Sequence, residues 1–252
     1  MPARLGGASV IPARLGSTRL PHKPLQLLAG EPLVTRVVQR VREYGLVDTL
    51  VVATDASMVA RVAERAGVAT VLTDANHGSG TDRVAEVASR PEYAGFDIVV
   101  NIQADEPFLP VEALSGAIER VRSGDDIGTA ASPLEAALVG DPNRVKVVTD
   151  ENGRALYFSR APIPFAREAG SAASPGLYWQ HLGVYACRRP ALERWVRLKP
   201  PPAELAERLE QLRALHYGMV IGVARLERPA HPGVDTPEDL RRAEAHWVAQ
   251  QR

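Results

Sequence analysis

Three cations and two hydroxyl groups lie in the ten-residue stretch from Arg14 to Lys23. Arg19 is the third cation, and Gly16-Ser17-Thr18 adds backbone N–H groups and the hydroxyls. A backbone cradle flanked by point charges can hold a polyphosphate. The spacing matches neither the P-loop nor the dinucleotide glycine pattern, so a solvated basic loop is the alternative interpretation.

Two adjacent carboxylates, Asp105 and Glu106, follow the strongest predicted strand of the chain, residues 96–102. Mg²⁺ typically takes one or two carboxylates together with phosphate oxygens. Asp105 is the better candidate ligand because it comes earlier, where the direction of the strand still fixes its side chain. An ordinary acidic strand end is the alternative.

Two further segments have both a structural and a functional interpretation. Asp235 lies in Asp-Thr-Pro-Glu, which is a good helix start without any ligand, so Asp235 can bind a metal only if folding brings it beside Asp105. His77-Gly-Ser79-Gly80 opens a predicted helix, and its small residues would allow a flat ring or a ribose to approach closely. A glycine-rich turn is the alternative there.

The elements that must position these side chains alternate over residues 9–131. Apolar runs predict strands at 9–11, 49–54, 69–72, 96–102 and 127–131. Helical periodicity predicts helices at 33–44, 57–66 with Ser57 as N-cap and Gly67 as stop, 80–89 and 112–122. This alternation predicts an α/β fold with a mostly parallel sheet, helices on both faces, and ligands beyond the carboxyl ends of the strands.

The alternation ends after residue 131. A hairpin is predicted over 145–158 around the Asn152-Gly153 turn, followed by a loop at 162–176. Further elements are predicted as a strand at 182–187, a helix at 202–215, an edge-type strand at 220–226 and a final helix at 236–250. Because no long linker interrupts the chain, we predict a single domain with a nucleotide-binding half (9–131), a second subregion (132–234) and a C-terminal helix from 235.

The composition argues against several classes of protein. Lys and Arg together number 30, as do Asp and Glu, so the chain lacks the basic surface that a duplex nucleic-acid binder needs. The single cysteine, Cys187, excludes an intramolecular disulfide and is better suited to the core than to nucleophilic chemistry. The six histidines show no metal-ligand spacing. No apolar run reaches the ~20 residues of a membrane span, and residues 1–9 do not resemble a secretory signal, so we expect a cytoplasmic protein.

These blocks occur together, in this order, in one family. Residues 10–25 resemble the opening motif of the bacterial CMP-Kdo synthetases, the 3-deoxy-manno-octulosonate (Kdo) cytidylyltransferases. Eight further blocks are similar to motifs of that family: Thr54-Asp55, 77–83, 100–107, 143–148, 155–164, 181–185, 209–213 and 233–240. The resemblance runs from about residue 9 to 243, and nine blocks in the same order are far more specific than any one of them.

The resemblance implies an enzyme with a nucleotide-diphospho-sugar transferase-like fold and a small mixed β insertion in the C-terminal half. Its substrates would be CTP and Kdo, its products CMP-Kdo and pyrophosphate, and its cofactor Mg²⁺. It would act in lipopolysaccharide biosynthesis as a cytoplasmic homodimer that neither binds nucleic acid nor inserts into a membrane. The region 160–190 would contribute to the dimer contact.

The resemblance also implies roles for individual residues. Arg14, Ser17, Arg19 and Lys23 would hold the CTP phosphates, with Lys23 stabilising charge on the reacting phosphate. Asp105 and Asp235 would coordinate Mg²⁺, and Lys23, Arg14, Arg19 and Asp105 are the expected catalytic residues. Ser79 would lie near the nucleoside, and Gln103 would contact nucleotide and sugar. The sugar acid would be surrounded by Gln103, Arg160, His181, Tyr185, Glu210 and Gln211.

Two positions depart from the family pattern. Ala104 and His22 each stand where the family commonly has glycine. Three other functions remain open from the sequence: another CMP-sugar-acid synthetase such as the sialic acid type, a nucleotide-sugar glycosyltransferase, and a non-catalytic sugar-nucleotide binder. No residue is clearly a general base, so metal-assisted deprotonation of the sugar is a hypothesis.

Overall fold

A computed structural model describes residues 7–17, 19–168, 174 and 176–250, so Thr18 and part of the predicted 162–176 loop lie outside the described residues. The strands in the described residues are β1 (Ala8–Pro12), β2 (Leu27–Leu28), β3 (Glu31–Pro32), β4 (Thr49–Thr54), β5 (Ala69–Leu72), β6 (Ile98–Ile102), β7 (Ile127–Pro133), β8 (Lys146–Thr149), β9 (Ala155–Ser159), β10 (Trp179–Arg188) and β11 (Ile221–Arg225). The α-helices there are α1 (Leu33–Tyr44), α2 (Ser57–Arg65), α3 (Gly80–Ala88), α4 (Val111–Arg122), α5 (Arg189–Arg197), α6 (Pro202–Glu207), α7 (Gln211–His216) and α8 (Pro237–Gln250).

The chain forms two compact units. The first comprises the chain up to Leu109 and from His231 onward, and the second runs from Pro110 to Ala230. The predicted phosphate-binding loop, Asp105 and Asp235 belong to the first unit, whereas Arg160 and His181 belong to the second. The predicted subdivision at residues 131 and 235 stays a prediction.

The first unit is built on four parallel strands in the order β6-β1-β4-β5. β1 is buried along its whole length, as expected of a parallel strand covered on both faces. α3 packs against β1, β4 and β6, and α2 packs against β4 and β5. Because β1 and β6 are parallel neighbours, the loops that follow them leave the sheet at the same edge. The predicted α/β class is confirmed.

The helices of the first unit follow their apolar spacing. α1 begins and ends where the periodicity predicts, and Gly45 stops it with a φ of 63°. The prediction that Ser57 caps α2 is wrong, because Ser57 is the first helical residue and Ala56 is the N-cap. The hydroxyl of Thr54 accepts a hydrogen bond from the N–H of Ala56 at 3.1 Å, which holds the chain before the helix.

The segment from His231 onward returns to the first unit. Thr236 and Asp239 form reciprocal hydrogen bonds that cap α8: the Asp239 N–H donates to Thr236 Oγ1 at 3.2 Å, and the Thr236 N–H donates to Asp239 Oδ2 at 2.9 Å. Val234 and Ala243 are fully buried and pack in a cluster with Leu20 and Phe108. This core fixes the position of the intervening segment.

The second unit has a mixed arrangement. β7 pairs in parallel with β11 and antiparallel with β10, while β8 pairs antiparallel with both β9 and β10. α4 packs on β7, β10 and β11, and Gly128 permits the close approach, since a Cβ there would lie 1.9 Å from the Ala117 carbonyl oxygen. The predicted hairpin is confirmed as β8 and β9, and Gly153 adopts a φ of 72° in its turn.

The second unit also corrects two predictions. The single helix expected at 202–215 is two short helices, α6 and α7, because Arg208 adopts a left-handed φ of 54° that ends α6. Helix α5 was not predicted from the sequence; it has Pro190 in its first turn and buries Leu192 and Trp195. Within the described residues, no helix is both long and apolar enough to cross a membrane.

Candidate active site

The carboxyl ends of β1 and β6 and the start of α3 open on one cavity of about 470 Å³ in the first unit. It is lined by every predicted phosphate, nucleoside and metal residue of that unit: Arg14, Ser17, Arg19, Lys23, Ser79, Gln103, Asp105 and Asp235. Pro12, Gly16, Pro24, Gly80, Arg83 and Ala104 complete the lining. Four segments that are far apart in the sequence therefore converge on one space, as the strand-end rule predicts.

An ion cluster lies in this cavity. The Lys23 ammonium donates to Asp105 Oδ2 and, at 2.8 Å, to Asp235 Oδ1, and Arg19 Nη2 lies 3.1 Å from Asp235 Oδ2. Burial alone would lower the pKa of Lys23, but the charges of the two carboxylates outweigh it and raise that pKa above its ordinary value. Folding thus brings Asp235 beside Asp105, with one cation shared between them.

The two carboxylates offer a donor set that fits Mg²⁺. The ammonium of Lys23 already marks a position where the fold holds positive charge between two carboxylates. In the part of the chain that the structure describes, no group of three or more His, Cys, Asp or Glu side chains is arranged to hold a metal ion. Two protein carboxylates plus oxygens from a bound phosphate are an ordinary set for Mg²⁺, whereas a structural Zn²⁺ site needs four protein ligands.

The position of Asp235 follows from its neighbours. The N–H of Val234 donates to the Asp105 carbonyl oxygen at 2.8 Å, which joins the two acidic segments through the backbone. Thr236 and Asp239 cap α8, so the side chain of Asp235 is not needed for capping and contacts Lys23 instead. The capping alternative for the Asp-Thr-Pro-Glu segment is therefore correct for Thr236 and not for the Asp235 side chain.

Ser79 has a structural role at the cavity edge. Its hydroxyl accepts from the Asp82 N–H at 3.1 Å, and Asp82 Oδ2 accepts from the Ser79 N–H at 3.0 Å. This capping box fixes the N-terminus of α3, whose positive end favours an anion. Gly80 lies close against Pro12, since a Cβ there would be 3.4 Å from the proline ring.

Arg83 is a lining residue that the sequence analysis did not select as a site residue. It is buried, and its Nη2 lies 3.1 Å from Asp55 Oδ2. Its position four residues after Ser79, on one face of α3, is the signal that could have identified it. Because Asp55 neutralises its charge, Arg83 reinforces the wall of the cavity.

The two departures from the family pattern differ in backbone conformation. The non-glycine residues with positive φ among those described are His22, Ala29 and Arg208, so Ala104 takes an ordinary conformation and its methyl group is accommodated. His22 has a φ of 53° directly before Lys23, in the left-handed region where glycine carries no Cβ penalty. The backbone thus explains why glycine is common at position 22.

We expect His22→Gly to stabilise the protein. The left-handed conformation costs an L-residue roughly 1–2 kcal/mol, partly offset by the greater entropy that glycine loses on folding, so the expected gain is about 0.5–1 kcal/mol. Urea unfolding measures it. Ser123→Gly, at a helix end with a φ of −74°, is the matched control and should lower stability. An equal loss in both variants would contradict backbone strain at His22.

The predicted sugar-binding residues of the second unit fall into two groups. The ring of Tyr185 lies 5.2 Å from that of His181 and 5.7 Å from that of Trp195. Trp195 Nε1 donates to the Glu210 carbonyl oxygen at 3.2 Å, and buried Gln211 starts α7 next to it. These contacts bring His181, Tyr185, Glu210 and Gln211 into one region of the unit.

Arg160 is held by backbone carbonyls. Its Nε donates to the Glu207 carbonyl oxygen at 2.7 Å, and its Nη1 donates to that of Pro142 at 2.8 Å. Fully buried Lys146 donates to the carbonyl oxygens of Asp141 and Arg160. Lys146 lies in the family-like block 143–148, and it fixes the backbone from which the Arg160 side chain projects.

Burial lowers the pKa of His181 to about 3, from an ordinary value of 6.5. As the pH falls below 6.5, His181 therefore becomes protonated in the unfolded chain but stays neutral in the folded protein. We expect the free energy of unfolding to fall between about pH 6.5 and pH 3, with a slope of up to about 1.4 kcal/mol per pH unit from this residue. His181→Gln should reduce that slope in urea titrations at several pH values, whereas His216→Gln, on the exposed end of α7, should leave it unchanged. A slope that His181→Gln does not alter would assign the acid sensitivity elsewhere.

An α/β sheet whose strand ends carry a basic loop, a helix N-terminus and two neighbouring carboxylates suits a nucleotidyltransferase. A model of the cytidylyltransferase family matches residues 8–221. The chain belongs to the 3-deoxy-manno-octulosonate cytidylyltransferase family.

Two relatives and one solved structure illustrate the similarity. The 3-deoxy-manno-octulosonate cytidylyltransferase of Gemmatimonas aurantiaca is 54% identical over 242 residues, which cover 95% of this chain and 93% of the relative. That of Methylococcus capsulatus is 45% identical over 245 residues, which cover 94% and 95%. A CMP:2-keto-3-deoxy-manno-octonic acid synthetase solved in complex with CTP matches with a TM-score of 0.86 and 34% identity, covering 99% of this chain and 100% of the other. The predicted family is confirmed.

Proposed function

We propose that this protein transfers the cytidylyl group of CTP to Kdo, forming CMP-Kdo and releasing pyrophosphate. The observation that carries the proposal is the Lys23–Asp105–Asp235 cluster, set in a cavity that Arg14, Ser17 and Arg19 also line. This combination provides cations for a triphosphate and carboxylates for its counter-ion in one space. Relatives that share almost the full length of the chain and carry this activity in their names support the same substrates.

In the proposed reaction, the anomeric hydroxyl oxygen of the sugar acid attacks the α-phosphorus of CTP. A phosphorus–oxygen bond forms, the bond to the β-phosphate bridging oxygen breaks in line with it, and pyrophosphate leaves with that electron pair. The hydroxyl proton is released in the process. Most of the catalysis comes from positioning and from charge stabilisation, since the protein forms no covalent bond.

Arg14, Arg19 and Lys23 hold the triphosphate in this proposal. Lys23 is shared between Asp105 and Asp235 without substrate, and the same ammonium turns to the reacting phosphate when CTP binds. Arg19, whose side chain is 46% exposed, keeps its contact with Asp235 or turns to the outer phosphates. Asp105 and Asp235 would hold Mg²⁺, which when bound adds positive charge at the phosphates and polarises the attacking hydroxyl.

The sugar acid is assigned to the second set of residues. Arg160 has a planar guanidinium that suits a carboxylate, and Lys146 and Glu207 hold its backbone in place. His181, Tyr185, Glu210 and Gln211 provide hydrogen-bonding groups for hydroxyls. Gln103, which lines the cavity, contacts both substrates in this proposal.

The cellular setting is also part of the proposal. In this proposal the enzyme acts in lipopolysaccharide biosynthesis in the cytoplasm, where its nucleotide substrate is available. It forms a homodimer. Three large apolar side chains on β9 and in the loop after it, Leu156, Tyr157 and Phe165, are exposed, with Phe165 reaching 83%. Exposed apolar groups grouped along a chain segment support a subunit contact there.

Pyrophosphate release tests the function. CTP with Kdo and Mg²⁺ should release pyrophosphate in equal amount to CMP-Kdo, and UTP, GTP or ATP should release much less. Replacing Kdo with a sialic acid tests the nearest alternative. A glycosyltransferase would release no pyrophosphate, and a sugar-nucleotide sensor would bind CMP-Kdo without turnover, so either result would refute the proposed function.

A further inference from the structure

We propose that Thr129 is a positioning residue that fixes His181 with its proton on Nε2, so that Nδ1 is presented as a hydrogen-bond acceptor for a hydroxyl of the sugar acid. The protonation pattern stands on the geometry of the second unit alone. The ligand at Nδ1 rests on the proposed function. The inference assigns a role to a buried threonine on β7 that neither the motifs nor the cavity identified.

Thr129 has two hydrogen-bond partners and one proton. Its Oγ1 lies 2.7 Å from the Val184 carbonyl oxygen and 2.9 Å from His181 Nε2, and the residue is fully buried. A carbonyl oxygen can only accept, so the Thr129 hydroxyl must donate to Val184. The hydroxyl oxygen then has only lone pairs for His181, which requires the proton of the neutral imidazole to be on Nε2.

The opposite arrangement carries a clear penalty. If Nε2 held the lone pair, Thr129 would donate to His181, and its oxygen would face the Val184 carbonyl oxygen at 2.7 Å with no proton between them. Two buried oxygens at that distance repel, and the carbonyl would lose its partner, which costs roughly 1–3 kcal/mol. At about 1.4 kcal/mol per tenfold, this favours the Nε2–H form by roughly 5–150-fold.

A β-bulge makes the Val184 carbonyl available. On β10, Leu182 pairs with Ala130 and Tyr185 pairs with Thr129, so Gly183 and Val184 lie between two consecutive pairs. The two extra residues of this bulge interrupt the regular hydrogen bonding between the strands and redirect the backbone. The Val184 carbonyl therefore turns to the side chain of Thr129, which orients the hydroxyl proton away from His181. The local register of two strands thus sets the protonation of a side chain.

The imidazole remains neutral in this environment. Phe158 packs edge-on against the His181 ring at 5.2 Å, and Tyr185 lies at the same distance on another side. Burial lowers the pKa of His181 far below neutrality, which agrees with the single-proton pattern. Within the described residues, Nδ1 has no hydrogen-bond partner.

An Nδ1 lone pair selects its ligand. It accepts a hydrogen bond from a hydroxyl and repels a carboxylate, so His181 would recognise a sugar hydroxyl, and the acid group would be left to a cation such as Arg160. A histidine in the other tautomer, or an imidazolium, would present a donor and favour the carboxylate. Thr129 would in this way decide which part of the sugar acid faces His181.

Long-range ¹⁵N–¹H NMR spectra of histidine-labelled protein test the tautomer without substrate, with His181→Gln to assign the signal. We expect a pyridine-like Nδ1 and a pyrrole-like Nε2 that do not change between pH 6 and 8. A pyrrole-like Nδ1 in the native protein would overturn the inference whatever the enzyme's activity.

Thr129→Val tests the positioning role because it replaces the hydroxyl with a methyl group. We expect mixed or reversed tautomers and a KM for Kdo raised about tenfold, with the KM for CTP unchanged, from the loss of one oriented hydrogen bond. Thr129→Ser should restore both readouts. Ser132→Ala on the same strand, which removes another buried hydroxyl, should change neither.

The outcomes separate the two parts of the inference. An unchanged tautomer in Thr129→Val would refute the role of Thr129, and if that variant does not fold, a Thr129→Ser protein with a different tautomer from the native protein would do so. A changed tautomer with an unchanged KM for Kdo would refute sugar recognition at His181. Absence of CMP transfer in the native protein would refute the proposed function and leave the tautomer result standing.

Discussion

Replacing Asp105 with Asn is expected to reduce the rate of CMP transfer about 10²–10³-fold, the loss typical of removing one fixed electrostatic contact from an active site. The substitution keeps the shape of the side chain and removes its charge. Asp105 is one of two carboxylates on Lys23, and it lines the cavity at the carboxyl end of β6. Without it, the proposed Mg²⁺ site keeps a single carboxylate, and Lys23 is drawn to Asp235 alone.

The measurement is kcat at saturating CTP, Kdo and Mg²⁺, with circular dichroism to verify folding. Asp97→Asn is the matched control, because Asp97 is an exposed aspartate directly before the same strand, at its opposite end. We expect this variant to retain native turnover. Near-normal activity of Asp105→Asn at saturating Mg²⁺ would mean that the carboxylate is not required and that the metal assignment is wrong.

Lys23→Met has two expected effects of opposite direction. We expect CMP transfer to fall about 10²–10³-fold, because the reacting phosphate loses a partly buried, preorganised cation. Binding of a divalent cation in the absence of nucleotide becomes tighter, because the ammonium that lies between Asp105 and Asp235 is gone. The two carboxylates then repel each other with only Arg19, which contacts Asp235, as a remaining counter-charge, and a metal ion relieves that repulsion.

Mn²⁺ titration followed by electron paramagnetic resonance measures the second effect independently of turnover. Lys199→Met is the control, since Lys199 is an exposed lysine between α5 and α6, and it should change neither activity nor Mn²⁺ binding. If Lys23→Met loses activity and binds Mn²⁺ no more tightly than the native protein, then the ammonium and the metal do not compete for the carboxylates.

The phosphate-binding side of the site was predictable because its residues directly follow strands that the sequence identifies. Apolar runs identify β1 and β6, and the rule that ligands lie beyond the carboxyl ends of parallel strands places Arg14, Lys23 and Asp105 at one edge of the sheet. The role of Asp235 was not predictable from its own segment, because Asp-Thr-Pro-Glu is equally consistent with a helix start that binds no ligand. Only the fold decides between these uses, through the hydrogen bond from Val234 to Asp105.

Other features depend on backbone geometry that the apolar pattern does not contain. The break between α6 and α7 is a single left-handed residue, Arg208, inside a stretch whose hydrophobic spacing continues. The link between Thr129 and His181 depends on the register of β10 against β7, where a shift of one residue would turn each side chain to the other face. The residue types identify the sugar-binding candidates through the resemblance, but their hydrogen bonds follow from tertiary contacts.

The return of residues 231–250 to the first unit has a consequence for the order in which the protein is synthesised. A nascent chain grown only to residue 230 already contains Arg14, Arg19, Lys23 and Asp105, but not the second acid of the cluster. Since synthesis proceeds from the N-terminus, the pair of carboxylates forms only after the segment that contains Asp235 leaves the ribosome. A truncated product of that length would retain its cations and attract polyphosphates, yet lack Asp235, with which Asp105 would hold the proposed metal ion.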